Sequence, residues 1–401
     1  ILSSGSAREV LKKTPGVIIN QEKILIKNSQ NIIILINDKR VYLSNSELKE
    51  LLEGTSAVDI TSIEIITNPP AKYEAEGTAV LNIKMKKNIA TGYKASLGGS
   101  FRKARFTSGN IYTSQYYKNN WLNIYGNYSH SLGRGNRLEE EFINFSKEGV
   151  NETFHSNLDR NSFYRTHNFK LNSEFTLNTK SSLTLGGQMY YSPNRKIKNL
   201  IDSEILINDT QNSSFITQNN ANDFNQNLSL HADYEIHFDD KKTLNIIGYF
   251  TDYKKEGNQL VTTDFYTLEG TPYNNNTFTT YSKQYTNIYS TQADYKNVIS
   301  EDVVFEAGGK YANVSSRSDL EHLNLINNIN VLDETRTNSF LYNEENISGY
   351  VSYESQWKKI NFKSGLREEY TMLKGNSITL HEVNSSHYFK VFPTLYLQYK
   401  T

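Results

Sequence analysis

One stretch constrains this chain more than any other. In NLSLHADYEIHFDDKKTLNIIGYF (Asn227 to Phe250), Leu228, Leu230, Ala232, Tyr234, Ile236 and Phe238 take every second place. His231, Asp233, Glu235 and His237 fill the gaps, and after Asp239-Asp240-Lys241-Lys242 the alternation resumes with Leu244, Ile246, Gly248 and Phe250. A period of two makes a strand with one apolar and one polar face. Two such runs joined by four polar residues make an antiparallel hairpin. The apolar face must then meet either a second sheet or lipid.

The pattern recurs from about Thr91 onward, with no helical stretch between the runs. Tyr93, Ala95, Leu97 and Phe101 form one run, and Leu122, Ile124, Gly126 and Tyr128 another. Later runs are Phe169, Leu171 and Phe175; Leu183, Leu185 and Met189; Tyr289, Ala293 and Tyr295; Val303, Phe305, Ala307 and Tyr311; Ile347, Val351, Tyr353 and Trp357; and Leu395, Leu397 and Tyr399. The run from Phe106 to Tyr117 alternates least clearly. Tight polar turns are expected near Asn119, Lys180, Asp240, Glu301 and Lys358. Between them lie long polar segments such as SLGRGNRLEEEFINFSKEGVNETFHSNLDRN, which read as long Asn-rich loops at the opposite edge.

Composition narrows the class. Net charge is +0, so no basic excess argues for a nucleic-acid partner. Cysteine is absent, which removes disulfides and thiolate chemistry. The longest aliphatic run, Ile32 to Ile36, is far too short for a membrane helix. A mean hydropathy of -0.61 does not exclude a membrane barrel, because the lumen and loops of a barrel are wet. The balance of 28 Tyr and 19 Phe against 6 Pro favours strands.

Short turns alternating with long loops fit an outer-membrane barrel, whereas a sandwich has no reason to keep every second connection short. Phe175, Phe238, Tyr295 and Trp357 gather on the apolar face at the tight-turn ends, where an interfacial girdle belongs. Trp121 is out of phase with Leu122 and Ile124, which points it toward the lumen. The chain is therefore read as mainly β, a transmembrane antiparallel β-barrel of which residues 89–401 form the N-terminal portion.

Residues 1–88 read as a small α/β domain with its own core. SAREVLKKTPGV is a short helix stopped by Pro15-Gly16. SNSELKELLEGT has Ser44 or Ser46 as N-cap, Leu48, Leu51 and Leu52 at helical spacing, and Gly54 as a stop. VIINQEKILIK, NIIILINDKRV, ITSIEIIT and GTAVLNIKMKK read as strands, with IIILI either central or at an edge. About twelve strands give a backbone radius of roughly 12 Å, too narrow to hold such a domain, while about 22 strands give roughly 22 Å. Either that domain hangs outside the barrel or many C-terminal strands are missing; the abrupt stop of the last run at LYLQYKT favours the second, with about 12 strands of about 22 expected here.

EVLKKTPGV (Glu9 to Val17), IIILINDKRVYLS (Ile32 to Ser44) and ITSIEIITNPPAKYEAEGTAVLNIKMKK (Ile60 to Lys87) resemble the plug domain of TonB-dependent outer-membrane receptors, in particular the Bacteroidota outer-membrane β-barrel family. The ordered succession Ile63 to Pro69, Lys72-Tyr73, Glu76-Gly77 and Val80 to Ile83 carries the resemblance. VFPTLYLQYK (Val391 to Lys400) resembles a mid-barrel strand of that family. The resemblance implies a bacterial outer-membrane importer of a siderophore, glycan or peptide. It further implies an extracellular ligand bound between loops and plug, and TonB as a partner gripping a segment not visible before Ile1. A non-transporting adhesin or subunit of a surface complex is the alternative.

No catalytic, cofactor or metal residue is expected, and the substrate-binding residues are left unknown. His231, Asp233, Glu235 and His237 share one polar face, but neighbours at i and i+2 stand about 7 Å apart, so the ladder reads as lumen wall. HEVNSSH (His381 to His387) lacks the zinc-protease spacing and reads as a loop, and Gly133 and Gly135 read as loop glycines. No nucleophile elbow, Walker loop or dinucleotide fingerprint occurs, so an enzyme is not expected. FYTLEGTPYNNNTFTTYSKQY (Phe265 to Tyr285) reads either as a ligand-binding loop or as solvated surface.

Overall fold

The computed structural model describes residues 5–399 except 21–22, 28, 30–31, 38, 42–44, 68, 70–72, 74–78, 87–89 and 148. Ser44, Lys72, Glu76, Gly77 and the expected 88/89 boundary lie outside the described residues. The N-terminal module contains α1 (Ala7–Lys12), β1 (Val17–Asn20), β2 (Lys23–Ile26), β3 (Ile32–Ile36), β4 (Lys39–Arg40), α2 (Asn45–Glu53), a 3-10 turn (Ala57–Asp59), β5 (Ile60–Ile66) and β6 (Ala79–Met85). Two hydroxyls finish its helices: Thr14 Oγ1 donates to the Val10 carbonyl at 2.9 Å and Thr55 Oγ1 to the Leu51 carbonyl at 2.8 Å. These satisfy carbonyls that a helix end leaves open.

β4, β3, β6 and β5 form a sheet in that order, with β3 parallel to β6. IIILI is thus an interior strand. Leu11, Leu48, Leu51, Leu52, Leu81 and Ile83 pack into one core, and Val80 joins Ile33 and Leu35 on the other side. β6 is covered on both faces, which is why AVLNI is nearly continuous in apolar residues. Its one polar member, Asn82, is fully buried and donates to Glu64 Oε2 at 2.9 Å.

The rest of the chain is one antiparallel meander. Its strands are β7 (Gly92–Lys103), β8 (Thr107–Lys118), β9 (Leu122–Lys147), β10 (Val150–Asn178), β11 (Ser181–Ile207), β12 (Thr210–His237), β13 (Lys242–Thr267), β14 (Pro272–Ser300), β15 (Val303–Ile326), β16 (Ile329–Leu332), β17 (Asn338–Trp357), β18 (Ile360–Ser377) and β19 (Glu382–Tyr399). They follow chain order across the sheet, except that the short β16 pairs only with β15.

Directly opposed residues share a face, so the register fixes the faces. Leu230 pairs with Phe250, Phe250 with Tyr289, Ala307 with Val351 and Val351 with Leu366. This face is apolar and open, with Leu171 54% and Val351 48% exposed. The other face is polar and closed in: Ser114, Ser129, Thr251, Ser348 and Arg367 are buried. No second sheet covers the apolar face among the described residues. That inversion, grease outward and hydroxyls inward, is the pattern of a wall facing lipid.

The apolar band has a top. On β13 it runs from Leu244 to Phe250 and gives way to Asp252, Lys254 and Glu256; on β9 it ends at Leu132 before Arg134; on β17 it ends at Ile347 before Glu345. Roughly ten residues at ~3.4 Å rise and ~40° tilt reach about 25 Å, the apolar height of such barrels. β9 to β14 are 26 to 29 residues long. They therefore project about 40 Å beyond the band by the same geometry.

The long segments read as loops are these projecting strands. SLGRGNRLEEEFINFSKEGVNETFHSNLDRN lies on β9 and β10, which turn tightly near Gly149. Gly133 and Gly135 are on β9, His381 to His387 enters β19, and Phe265 to Tyr285 spans the tip of β13 and β14. Above lipid both faces are wet, so nothing forces the side chains to alternate. Backbone pairing alone holds these parts, and a polar strand then looks like a loop in sequence. The doubtful run at Phe106 is β8. Trp121 is also corrected: it lies in the turn before β9, outside the strand's alternation, and stacks on Phe175 of the outer face at 6.2 Å.

Aromatic rings lie flat on the inner wall where glycine leaves room. A Cβ on Gly308 would come within 2.6 Å of the Ala293 carbonyl and of the Tyr350 ring. Tyr350 there donates to Asp294 Oδ1 at 2.6 Å. Gly308→Ala is expected to dislodge that ring and cost about 1–3 kcal/mol, read as a lower unfolding temperature by heat-dependent gel mobility. In the turn between β12 and β13, Asp239 Oδ1 accepts from the backbone N–H of Lys241 at 2.9 Å and of Lys242 at 2.8 Å. Those hydrogen bonds, that of Lys241 foremost, hold its carboxyl below the usual carboxylate range. The folded pKa is depressed, so its stabilisation is present above the unfolded pKa and is lost as pH falls through the folded value. A carboxyl NMR titration should find Asp239 still ionised where an unstructured Asp is half protonated.

Candidate functional site: the interface between module and wall

The module meets the inner face of the meander at membrane height. Asp59, in the 3-10 turn, is 6% exposed and accepts from Ser114 Oγ of β8 at 3.1 Å. The neighbouring Ser56 accepts a long 3.5 Å bond from the Tyr112 hydroxyl. Tyr116 and Tyr125 pack beside Asp59 with ring centroids 4.8 Å apart. Asn127 Nδ2 donates to Ser114 Oγ at 3.0 Å and holds that hydroxyl in place. The contact is built from hydroxyls, amides and one carboxylate.

Beside it lies a cavity of about 840 Å³. The module contributes Asn37, Arg40, Glu64, Lys84 and Lys86; the wall contributes Tyr125, Lys170, Glu174, Gln188, His231, Asp233, Glu235 and Tyr249. The lining carries both charge signs and several rings. It suits a polar ligand, or water lubricating the joint, better than a lipid.

The alternation placed His231, Asp233 and Glu235 on the lumen wall, and they do line this cavity. His237 sits lower and pairs with Glu235 at 2.6 Å. Among the described residues no three His, Asp or Glu converge in metal-ligand geometry. Phe265 to Tyr285 lies at the far tip, away from the cavity. Sequence reasoning missed Asp59, Ser114, Tyr116 and Lys170. The phase of each strand puts the last three on the inner face, and SAVDI hides a carboxylate in an apolar run; neither signal names the contact.

Residues 236–401 match the model of the outer membrane protein beta-barrel family. The chain is a protein of the bacterial outer membrane, and its fold is that of the outer-membrane barrel receptors. The unliganded ferric citrate transporter FecA superposes with a TM-score of 0.53 at 13% identity, covering 99% of this chain and 58% of that one. The chain thus spans 58% of that transporter's length. The ferric enterobactin receptor PfeA of Pseudomonas aeruginosa, an R480A mutant bound to enterobactin, has a TM-score of 0.36 at 10% identity, covering 92% and 82%. The outer membrane protease OmpT of Escherichia coli has a TM-score of 0.25 at 13% identity, covering 69% and 96%. No curated protein sequence matches the chain.

Ser114→Ala removes one hydrogen bond to a buried carboxylate, expected to weaken docking by about 1–3 kcal/mol. Hydrogen exchange should then speed up in β5 and β6 while β12 to β14 stay unchanged.

Proposed function

We propose that the protein is a TonB-dependent receptor that imports a nutrient of the siderophore, glycan or peptide class. The observation that carries this reading is the separate module seated against the inner face of the sheet at membrane height, held by a polar joint with a polar cavity beside it. A permanent stopper would be better fixed by apolar packing; hydroxyl and amide contacts exchange for water at little net cost. On this reading residues 1–88 are the plug, residues 89–401 are barrel, and the projecting strands stand outside the cell. TonB supplies the pull on the plug, the ligand enters from the extracellular side, and the chain is not an enzyme.

β7 and β19 are the two edges of the sheet. Open edges are costly in lipid, where each unpaired backbone group costs several kcal/mol. Further strands closing the barrel between them, to about 22 in all, fit this constraint. The plug motif supports a source among the Bacteroidota.

A second reading, a surface-complex subunit or adhesin, has one observation in its favour. The far hairpin tips carry exposed Phe145, Leu268, Ile329 and Leu380. The two readings separate on a tether. Cysteine is absent from the sequence, so Asp59→Cys with Ser114→Cys adds one reducible link between module and wall. Import requires uptake to fall at least tenfold when the pair is oxidised and to recover on reduction. Unchanged growth and uptake on siderophore, glycan and peptide panels in a deletion strain would sink the importer.

A further inference from the structure

The outer face just above the apolar band is not uniform around the sheet. On β13 and β15 its cations are already matched: Lys254 pairs with Glu256 at 3.1 Å and Arg317 with Asp319 at 2.9 Å. On β17 the same level carries Glu345; on β18 Glu368 lies four residues lower, opposite Gly349, and the exposed Lys374 stands just above, opposite Asn343. On β9 to β11 it carries Arg134, Arg165, Lys196 and Lys198, all exposed. None of these four forms an ion pair among the described residues.

Register brings the four together. Phe163 is opposed by Arg134 on one side and Lys196 on the other. Arg165 faces Leu132 two residues lower on the same side of the sheet, and Lys198 faces Asn161 two residues higher. Two strand spacings put the Arg134 and Lys196 backbones roughly 10 Å apart. Three rows lower on the same face, beyond the Leu132–Arg165 and His130–His167–Tyr191 rows, lie Tyr128, Phe169 and Met189, with Phe169 opposed to both of the others. Tyr128 and Phe169 pack with centroids 4.7 Å apart. The patch therefore stands above the lipid-facing surface, separated from those rings by Leu132 and by His130 and His167, whose ring centroids are 4.5 Å apart.

We propose that this patch holds the phosphate-bearing headgroup of an outer-leaflet glycolipid, whose acyl chains lie on the band below. The height selects the ligand. Arg134 stands twelve positions above Leu122, about 30 Å from the short turns by strand rise and tilt, at the level of lipid phosphates rather than of bulk solvent. Unmatched guanidinium and ammonium groups there meet phosphate in forked or point contacts. The mixed and acidic sectors elsewhere offer no such charge match, so one side of the protein is expected to carry ordered glycolipid. The assignment rests on the orientation proposed above, with the projecting ends outside the cell.

The test is retention of added lipid by the protein purified from outer membranes in mild detergent, read by native mass spectrometry. The probes are a bisphosphorylated acylated glucosamine disaccharide, its dephosphorylated form, phosphatidylglycerol and inorganic phosphate. The bisphosphorylated glycolipid should be retained, and the other three should not. Arg134→Gln with Lys196→Gln should weaken retention about five- to tenfold, Arg134→Lys with Lys196→Arg should largely preserve it, and Lys254→Gln with Arg317→Gln should leave it unchanged. Equal retention of the dephosphorylated glycolipid, or no loss in the Arg134/Lys196 glutamine variant, overturns the proposal. Preference for phosphatidylglycerol overturns it through the orientation, while leaving the importer reading to the tether experiment.

Discussion

The constraint on which the rest depends is the satisfaction of backbone hydrogen bonds in lipid. No water reaches the hydrocarbon, so every N–H and C=O at that depth must find a partner within the protein. A long antiparallel meander does this with neighbouring strands, and β9 to β15 pair along almost their whole length. Side chains are then free to obey the two solvents they meet: aliphatic and aromatic residues face outward, and serines, threonines and amides face inward. Bulges at Phe163/His167 and Ser192/Arg195 interrupt the ladder near the top of the apolar band on β10 and β11. The strands there leave lipid, and a locally disrupted ladder becomes affordable because water can serve the unpaired groups.

The same inversion explains how the N-terminal module fits. Its own core is conventional, with Leu11, Leu52 and Leu81 fully buried. Its outer surface meets a wall that is polar by necessity, so the joint is made of Asp59, Ser114, Ser56 and Tyr112 rather than of grease. The Tyr350–Asp294 and Arg367–Ser348 contacts on the opposite stretch of wall keep that surface rigid by filling its inner face with its own side chains.

The outer face and the projecting strands show where sequence reading worked and where it stopped. Leu228 to Phe250 could be assigned residue by residue, because lipid on one side and water on the other leave alternation no freedom. Asn136 to Lys147 could not, although it continues the same strand. With water on both sides Phe142, Ile143 and Phe145 occur on either face, and the run carries no period. Trp121 failed for a related reason: turn residues do not inherit the phase of the strand that follows.

What the sequence by itself determined is the chemistry of each membrane-height strand: which side chains face hydrocarbon, which face the lumen, and where the module's helices and strands begin. Those follow from local periodicity, since two solvents or a buried core act on every residue in turn. Tertiary structure alone decided the length of the strands above the lipid, the meeting of Asp59 with Ser114, and the gathering of Arg134, Arg165, Lys196 and Lys198 on one sector. Each of these depends on the register between strands distant in sequence, and register is a property of the paired sheet rather than of any one segment.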